Sequence, residues 1–184
     1  YHLSSSGIAD SVATQGRLFI NPPRGPNGSL DLGAFVGDLI VSARVTTFGS
    51  DPENINVGVR IGDNNFVYHP GLMGNPNFPD GAFRIEGPGG HGNVSMATQG
   101  FIPNRDFQNP ARMTIRINSK TGRATIQVAD GIDRAMMYQE EFFIVNYLPG
   151  STVIGLTTGS SLGPAEPFGT GAWFDDIKVT AKMP

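Results

Sequence analysis

Apolar and polar residues alternate with a period of two along most of the chain, and helical spacing is almost absent. In Asp38–Thr46, Leu39, Val41, Ala43 and Val45 fall on one face, while Asp38, Ser42, Arg44 and Thr46 fall on the other. That is the pattern of a strand with one buried side. Val57, Val59 and Ile61 alternate with Asn56, Gly58 and Arg60, and Phe83 and Ile85 with Arg84 and Glu86. The clearest pair is Arg112–Asn118 followed by Arg123–Asp130, joined by Asn118-Ser119-Lys120-Thr121-Gly122. Polar turn formers with a glycine for a positive φ make this a β-hairpin. Further strands are predicted at Arg17–Asn21, Asn65–His69, Asn93–Ala97, Glu141–Val145, Val153–Thr157 and Gly171–Ala181. The predicted core comprises Leu39, Val41, Val45, Val59, Ile115, Ile117, Ile126, Val128, Ile177 and Val179.

Ten or more short strands separated by turn-rich stretches predict an all-β, two-sheet antiparallel sandwich with under about 10% helix. Composition agrees. Of 184 residues, 25 are glycine and 14 proline, too much backbone punctuation for a helix bundle, while 39% hydrophobic residues are too many for a disordered chain. Residues 1–16 are polar and poorly patterned and read as an N-terminal arm or edge strand; residues 17–184 read as one sandwich domain. Net charge is −3, which gives no grip on a nucleic-acid backbone. Zero cysteines exclude disulfides and thiolate chemistry, and no apolar run reaches the ~18 residues of a membrane span. Residue 1 is Tyr rather than Met, so the chain reads as processed or trimmed, with any signal peptide outside it.

The chain closes on Gly171-Ala172-Trp173-Phe174-Asp175-Asp176-Ile177-Lys178-Val179-Thr180. An aromatic pair followed by Asp-Asp-Ile-x-Val resembles the closing strand of concanavalin A-like (laminin-G-like) jelly rolls and related carbohydrate-binding modules. Asp38–Val45 resembles the strand of that fold that packs on one face and lines a concave groove with the other. The hairpin through Gly122 and the strand Val153–Thr157 fit the same order, so the resemblance spans Arg17 to Thr180. It implies a jelly roll, an extracellular or cell-surface location and a glycan as partner.

Asp175 shares the face of Trp173, Ile177 and Val179 by simple alternation, which would bury both the carboxylate and the tryptophan. A buried carboxylate needs donors or a cation. The resemblance implies a structural calcium, with Asp10 as second carboxylate; the alternative is a cap in which Asp175 accepts backbone N–H groups. His69 and His91 fall in glycine- and proline-rich stretches and read as solvent-facing loop residues rather than a zinc pair.

Enzymatic patterns of the fold are missing. Glycosidases resembling laminarinases place Glu-x-Asp-x-Glu on one strand, and none occurs here; Glu140 and Glu141 are adjacent, so they point to opposite faces. Arg84-Ile85-Glu86 matches one strand of alginate-lyase-like jelly rolls, but no Gln is followed two residues later by His. What the strands do export is arginine. Arg44, Arg60, Arg84, Arg112 and Arg116 lie opposite the core faces with Glu86 and Gln127, and Tyr68, Tyr138 and Tyr147 offer stacking platforms. Guanidinium groups pair with carboxylate or sulfate in fork geometry. The resulting expectation is a non-catalytic, lectin-like domain that binds an acidic polysaccharide through Arg60, Arg84, Glu86, Arg116, Tyr68 and Tyr147. The competing expectation is an extracellular assembly subunit that self-associates by adding its arm to a neighbour's open sheet edge.

Overall fold

The computed structural model describes residues 11–14, 17–20, 28–48, 55–70, 76–78, 81–96, 110–132, 134–160 and 171–182. Among them are thirteen strands and no α-helix. They are β1 Ser11–Thr14, β2 Arg17–Ile20, β3 Gly28–Ala34, β4 Asp38–Phe48, β5 Ile55–Ile61, β6 Asn64–His69, β7 Ala82–Glu86, β8 His91–Ser95, β9 Ala111–Ile117, β10 Arg123–Asp130, β11 Met136–Phe143, β12 Val153–Ser160 and β13 Gly171–Lys182. Two antiparallel sheets form a sandwich: β1-β2-β13-β4-β9-β10-β11 and β3-β12-β5-β6-β7-β8.

Period-two patterning explains which face each strand buries. Leu39, Val41, Ala43 and Val45 of β4 meet Met113, Ile115 and Ile117 of β9 and Ile126 and Val128 of β10. Across the core stand Val57, Val59 and Ile61 of β5, Phe66 and Tyr68 of β6 and Ile154 and Leu156 of β12. The predicted hairpin is present in register, with Ile117 opposite Ala124 and Gly122 at φ 69°. Ser11–Thr14, within the expected arm, pairs with β2 at the edge of the seven-stranded sheet; residues 1–10 lie outside the described residues. β3 was not predicted, because its glycines at 28 and 33 interrupt the alternation. The strand expected at Glu141–Val145 starts earlier, at Met136, and ends at Phe143.

The closing strand corrects the alternation read from sequence. Between Asp175 and Lys178 the register against β4 shifts by one residue, and Asp176 takes φ 49°. This β-bulge inverts the facing of everything before it relative to everything after. Ala172 and Phe174 are therefore the buried pair, and Ile177 and Val179 pack half-buried against the core. Trp173 and Asp175 are partly exposed, not core.

At one side of the sandwich the two sheets are joined by a polar staple. His91 Nε2 lies 2.8 Å from Glu140 Oε2, and Tyr138 Oη donates to the same oxygen at 2.5 Å. The rings of Tyr138 and Phe83 stand 4.8 Å apart beside it. His91 is thus no free loop residue. Its Nδ1 faces the Gly92 carbonyl at 2.7 Å, so both ring nitrogens meet acceptors, an arrangement that favours the doubly protonated ring. Burial works against that charge, but the Gly92 carbonyl and the Glu140 carboxylate outweigh it and hold the pKa above its ordinary 6.5.

Two measurements check this account. Phe174→Ala should lower stability by about 3–5 kcal/mol, and Trp173→Ala by less than half as much; the reverse ranking in denaturant unfolding would place the bulge wrongly. A histidine whose folded pKa is raised stabilises fully below its unfolded pKa, and that stability is lost as pH rises through the folded value. The melting temperature should therefore fall as pH rises above 6.5, and Glu140→Gln should flatten that fall. Equal slopes in parent and variant would remove the imidazolium from the staple.

Candidate functional site

The outer face of the six-stranded sheet collects polar side chains into rows set by strand register. Asp31, Gly155, Arg60, Asn65 and Glu86 form one row across β3, β12, β5, β6 and β7. The next row is Ser29, Thr157, Gly58, Val67 and Arg84. Asn56 and His69 follow at the next outward positions of β5 and β6. Glycine at 155 leaves β12 without a side chain in the first row. The Arg60 guanidinium reaches across that gap to bond Asp31, and a Cβ at 155 would lie 3.3 Å from Asp31 Oδ1. Gly58 has a stricter reason: a Cβ there would sit 1.8 Å from the Phe66 carbonyl oxygen.

This face is sunken. Val67 and Thr157 are fully buried, and Asn56 and His69 keep 2% and 5% of their surface. Arg84 Nη2 binds Glu86 Oε1 at 2.6 Å, and Asn65 Nδ2 donates to Glu86 Oε2 at 3.1 Å. Five buried polar atoms on this face nevertheless find no hydrogen-bond partner among the described residues: Asn56 Oδ1, Arg60 Nε, Asn65 Oδ1, His69 Nδ1 and Arg84 Nε. Buried polar atoms are paired in the great majority of cases, so their concentration on one surface sets this face apart. Past Arg60 the face opens into a groove of about 460 Å³ lined by Asp31, Asp63, Asn146, Ser151 and Thr152.

The residues expected to form a single arginine-bearing face divide between two. Arg60, Arg84 and Glu86 lie together here, whereas Arg116 lies with Arg44, Arg112 and Gln127 on the outer face of the seven-stranded sheet. The pleat makes that division, because each sheet sends its outward residues away from the other. Tyr68 points inward and is 1% exposed, so it offers no platform. Tyr138 also turns inward, and Tyr147 lies half-buried beside the Gly122 turn. Asp31, Asn56 and Asn65 were not singled out from sequence, and His69, expected in a solvent-facing loop, is instead buried on β6. The two-residue turn Gly62-Asp63 fixes Arg60 opposite Asn65 and could have revealed Asn65 and His69; Asp31 could not be found without β3.

At Asp175, Arg44 Nη1 stands 3.7 Å from Oδ2, and Oδ1 accepts the Asp176 N–H at 2.8 Å, the kind of contact the backbone-capping alternative expects. Asp10 lies outside the described residues, among which no group of three or more His, Asp or Glu converges as a metal set.

No protein-family profile matches the chain, and no curated protein matches it by sequence. Solved structures do match. The Ca2+-bound exoplasmic/lumenal domain of VIP36 is similar at TM-score 0.60 and 11% identity, over 96% of this chain and 83% of that one. The legume lectin-like domain from Entamoeba histolytica gives TM-score 0.58 and 7% identity over 95% and 88%. Lectin II from Ulex europaeus gives 0.54 and 12% over 93% and 90%. The fold is that of legume lectin-like, concanavalin A-like jelly rolls, as the closing strand implied.

His69 is neutral on this face. Burial, and then the charge of Arg84, lower its pKa to about 4. A depressed histidine lets the unfolded chain take up a proton first, so stability present above pH 6.5 is lost as pH falls toward 4. The shift corresponds to about 3 kcal/mol. Chemical denaturation at pH 7 and pH 4.5 should show this loss in the parent and a much smaller one in His69→Gln; an equal loss in both would assign the acid sensitivity elsewhere.

Proposed function

We propose that this chain is an extracellular or cell-surface lectin-like domain that holds a neutral, hydroxyl-rich glycan along the outer face of the six-stranded sheet without cleaving it. The observation that carries this reading is the partly exposed polar set Asp31, Arg60, Asn65, Arg84 and Glu86 that strand register brings together on this face. Its guanidinium and amide N–H groups donate, and its carboxylate and amide oxygens accept. Sugar hydroxyls both donate and accept, and so suit a mixed set of this kind.

Charge favours a neutral ligand over an acidic one. Arg60 is neutralised by Asp31 and Arg84 by Glu86, so an incoming anion would compete with a carboxylate already in place at each. Similar structures support the class of ligand: the VIP36 domain was solved in Man-bound and Man3GlcNAc-bound forms, and lectin UEA-II complexed with galactose. Across the row itself, Asp31 and Glu86 stand four strand spacings apart, about 19 Å, far from the roughly 5 Å between carboxyl groups that retaining hydrolysis needs.

A panel of neutral oligosaccharides and polysaccharides tests the reading. Binding should occur without release of reducing ends and should change little with salt. Asn65→Ala and Arg84→Ala should each weaken it roughly tenfold, the loss of about 1.4 kcal/mol expected when a hydrogen-bonding group is removed. A panel with no binder, or a binder indifferent to both substitutions, would sink it.

A further inference from the structure

The strand arginines with described side chains separate by partner. Arg44 is paired with Asp175, Arg60 with Asp31, Arg84 with Glu86 and Arg112 with Asp176. Arg116 and Arg123 have no carboxylate partner among the described residues. They are neighbours, because Arg116 lies opposite Thr125 and Arg123 is two residues along the same strand. Diagonal positions of this kind stand about 7–8 Å apart, within reach of long side chains. Arg116 is also held in place: its Nη1 donates to Gln127 Oε1 at 2.5 Å, and Gln127 Nε2 donates to Gln139 Oε1 at 3.0 Å.

Both arginines line a groove of about 410 Å³ on the outer face of the seven-stranded sheet. Register places Thr180, Ile40, Arg116, Thr125 and Glu141 in one row across it. Ile40 keeps 41% of its surface exposed, an apolar floor between hydroxyls. The acidic groups at the groove are Asp38, whose Oδ1 already accepts the Ser119 N–H and hydroxyl, and Glu141 on β11.

We propose that this groove is a second saccharide site, selective for a sugar that carries an anionic group, a uronate carboxylate or a sulfate ester. The C–H face of the ring packs on Ile40, Arg123 presents its fork donors to the anion, and Arg116, whose Nη1 is turned toward Gln127, adds positive charge from the other side of Thr125. Thr125 and Thr180 supply hydroxyls to the ring. Glu141 opposes the anion and limits affinity. The site is independent of the six-stranded face, which points away from it, so a chain that failed on neutral glycans would still bind here.

The experiment is isothermal titration of the intact chain with polygalacturonate, dextran sulfate and uncharged dextran at 50 mM salt. One or both anionic polymers should bind more tightly than dextran, and any dextran binding, which would belong to the six-stranded face, should not change in the arginine variants; polygalacturonate alone identifies a carboxylate site, and dextran sulfate alone a sulfate site. The Arg116→Ala/Arg123→Ala double variant should lose at least tenfold in affinity, Glu141→Gln should gain several-fold, and Arg84→Ala on the other sheet should stay within twofold of the parent. Arg116→Gln and Arg123→Gln, which keep side-chain volume, serve singly if the double variant does not fold. Binding to neither anionic polymer overturns the proposal. So does binding that survives the arginine substitutions, which is general ionic attraction, and binding lost in Arg84→Ala, which belongs to the other face.

Discussion

Burial of one face of every strand between two sheets is the constraint on which the rest of this molecule depends. Once Val41, Ile115 and Ile126 on one sheet and Val59, Phe66 and Leu156 on the other are committed to the core, the pleat leaves their neighbours no choice of direction. Each outward row is then set by strand pairing. Asn65 meets Arg60 on one side and Glu86 on the other because of a two-residue turn and an antiparallel register, not because of any attraction between those side chains. The ion pairs follow from the packing.

That order of cause gives the two outer faces different characters. On the six-stranded sheet each arginine is balanced by a carboxylate of the same face, and the central strands carry glycine where bulk would fill the surface. Its chemistry is that of directed hydrogen bonding with little net field. On the seven-stranded sheet a chain of amides, Gln127 and Gln139, takes the place that a carboxylate would occupy beside Arg116. Surface ion pairs of the first kind add little to stability; their consequence here is the electrostatic character of the face.

Most of the sandwich was legible in the sequence because period-two burial leaves its mark locally. Eight of the ten predicted core residues are buried for that reason, from Leu39 to Val128. Ile177 and Val179 do pack against the core, half-buried, but Trp173 and Asp175 were misplaced onto their face, since one extra residue at a bulge leaves the alternation on either side intact and only changes its phase. The candidate site was less legible. Arg60, Arg84 and Glu86 could be placed outward from their own strands, but which sheet each strand joins is a long-range fact, and Arg116 was grouped with them across the thickness of the protein. The histidines were read as loop residues because glycine and proline surround them, whereas sheet pairing buries one and staples the other to β11.

Gly58 carries a consequence for anyone wishing to engineer a binding surface on the six-stranded face. A directed-evolution library would ordinarily randomise the central position of a binding surface first. Here that position is closed to every residue with a Cβ, because the Phe66 carbonyl already occupies the space. Variation must enter from the flanks, at Asn56, Arg60, Asn65 and Thr157, so new specificities reachable on this scaffold would differ in what borders the ligand and share the same bare backbone beneath it.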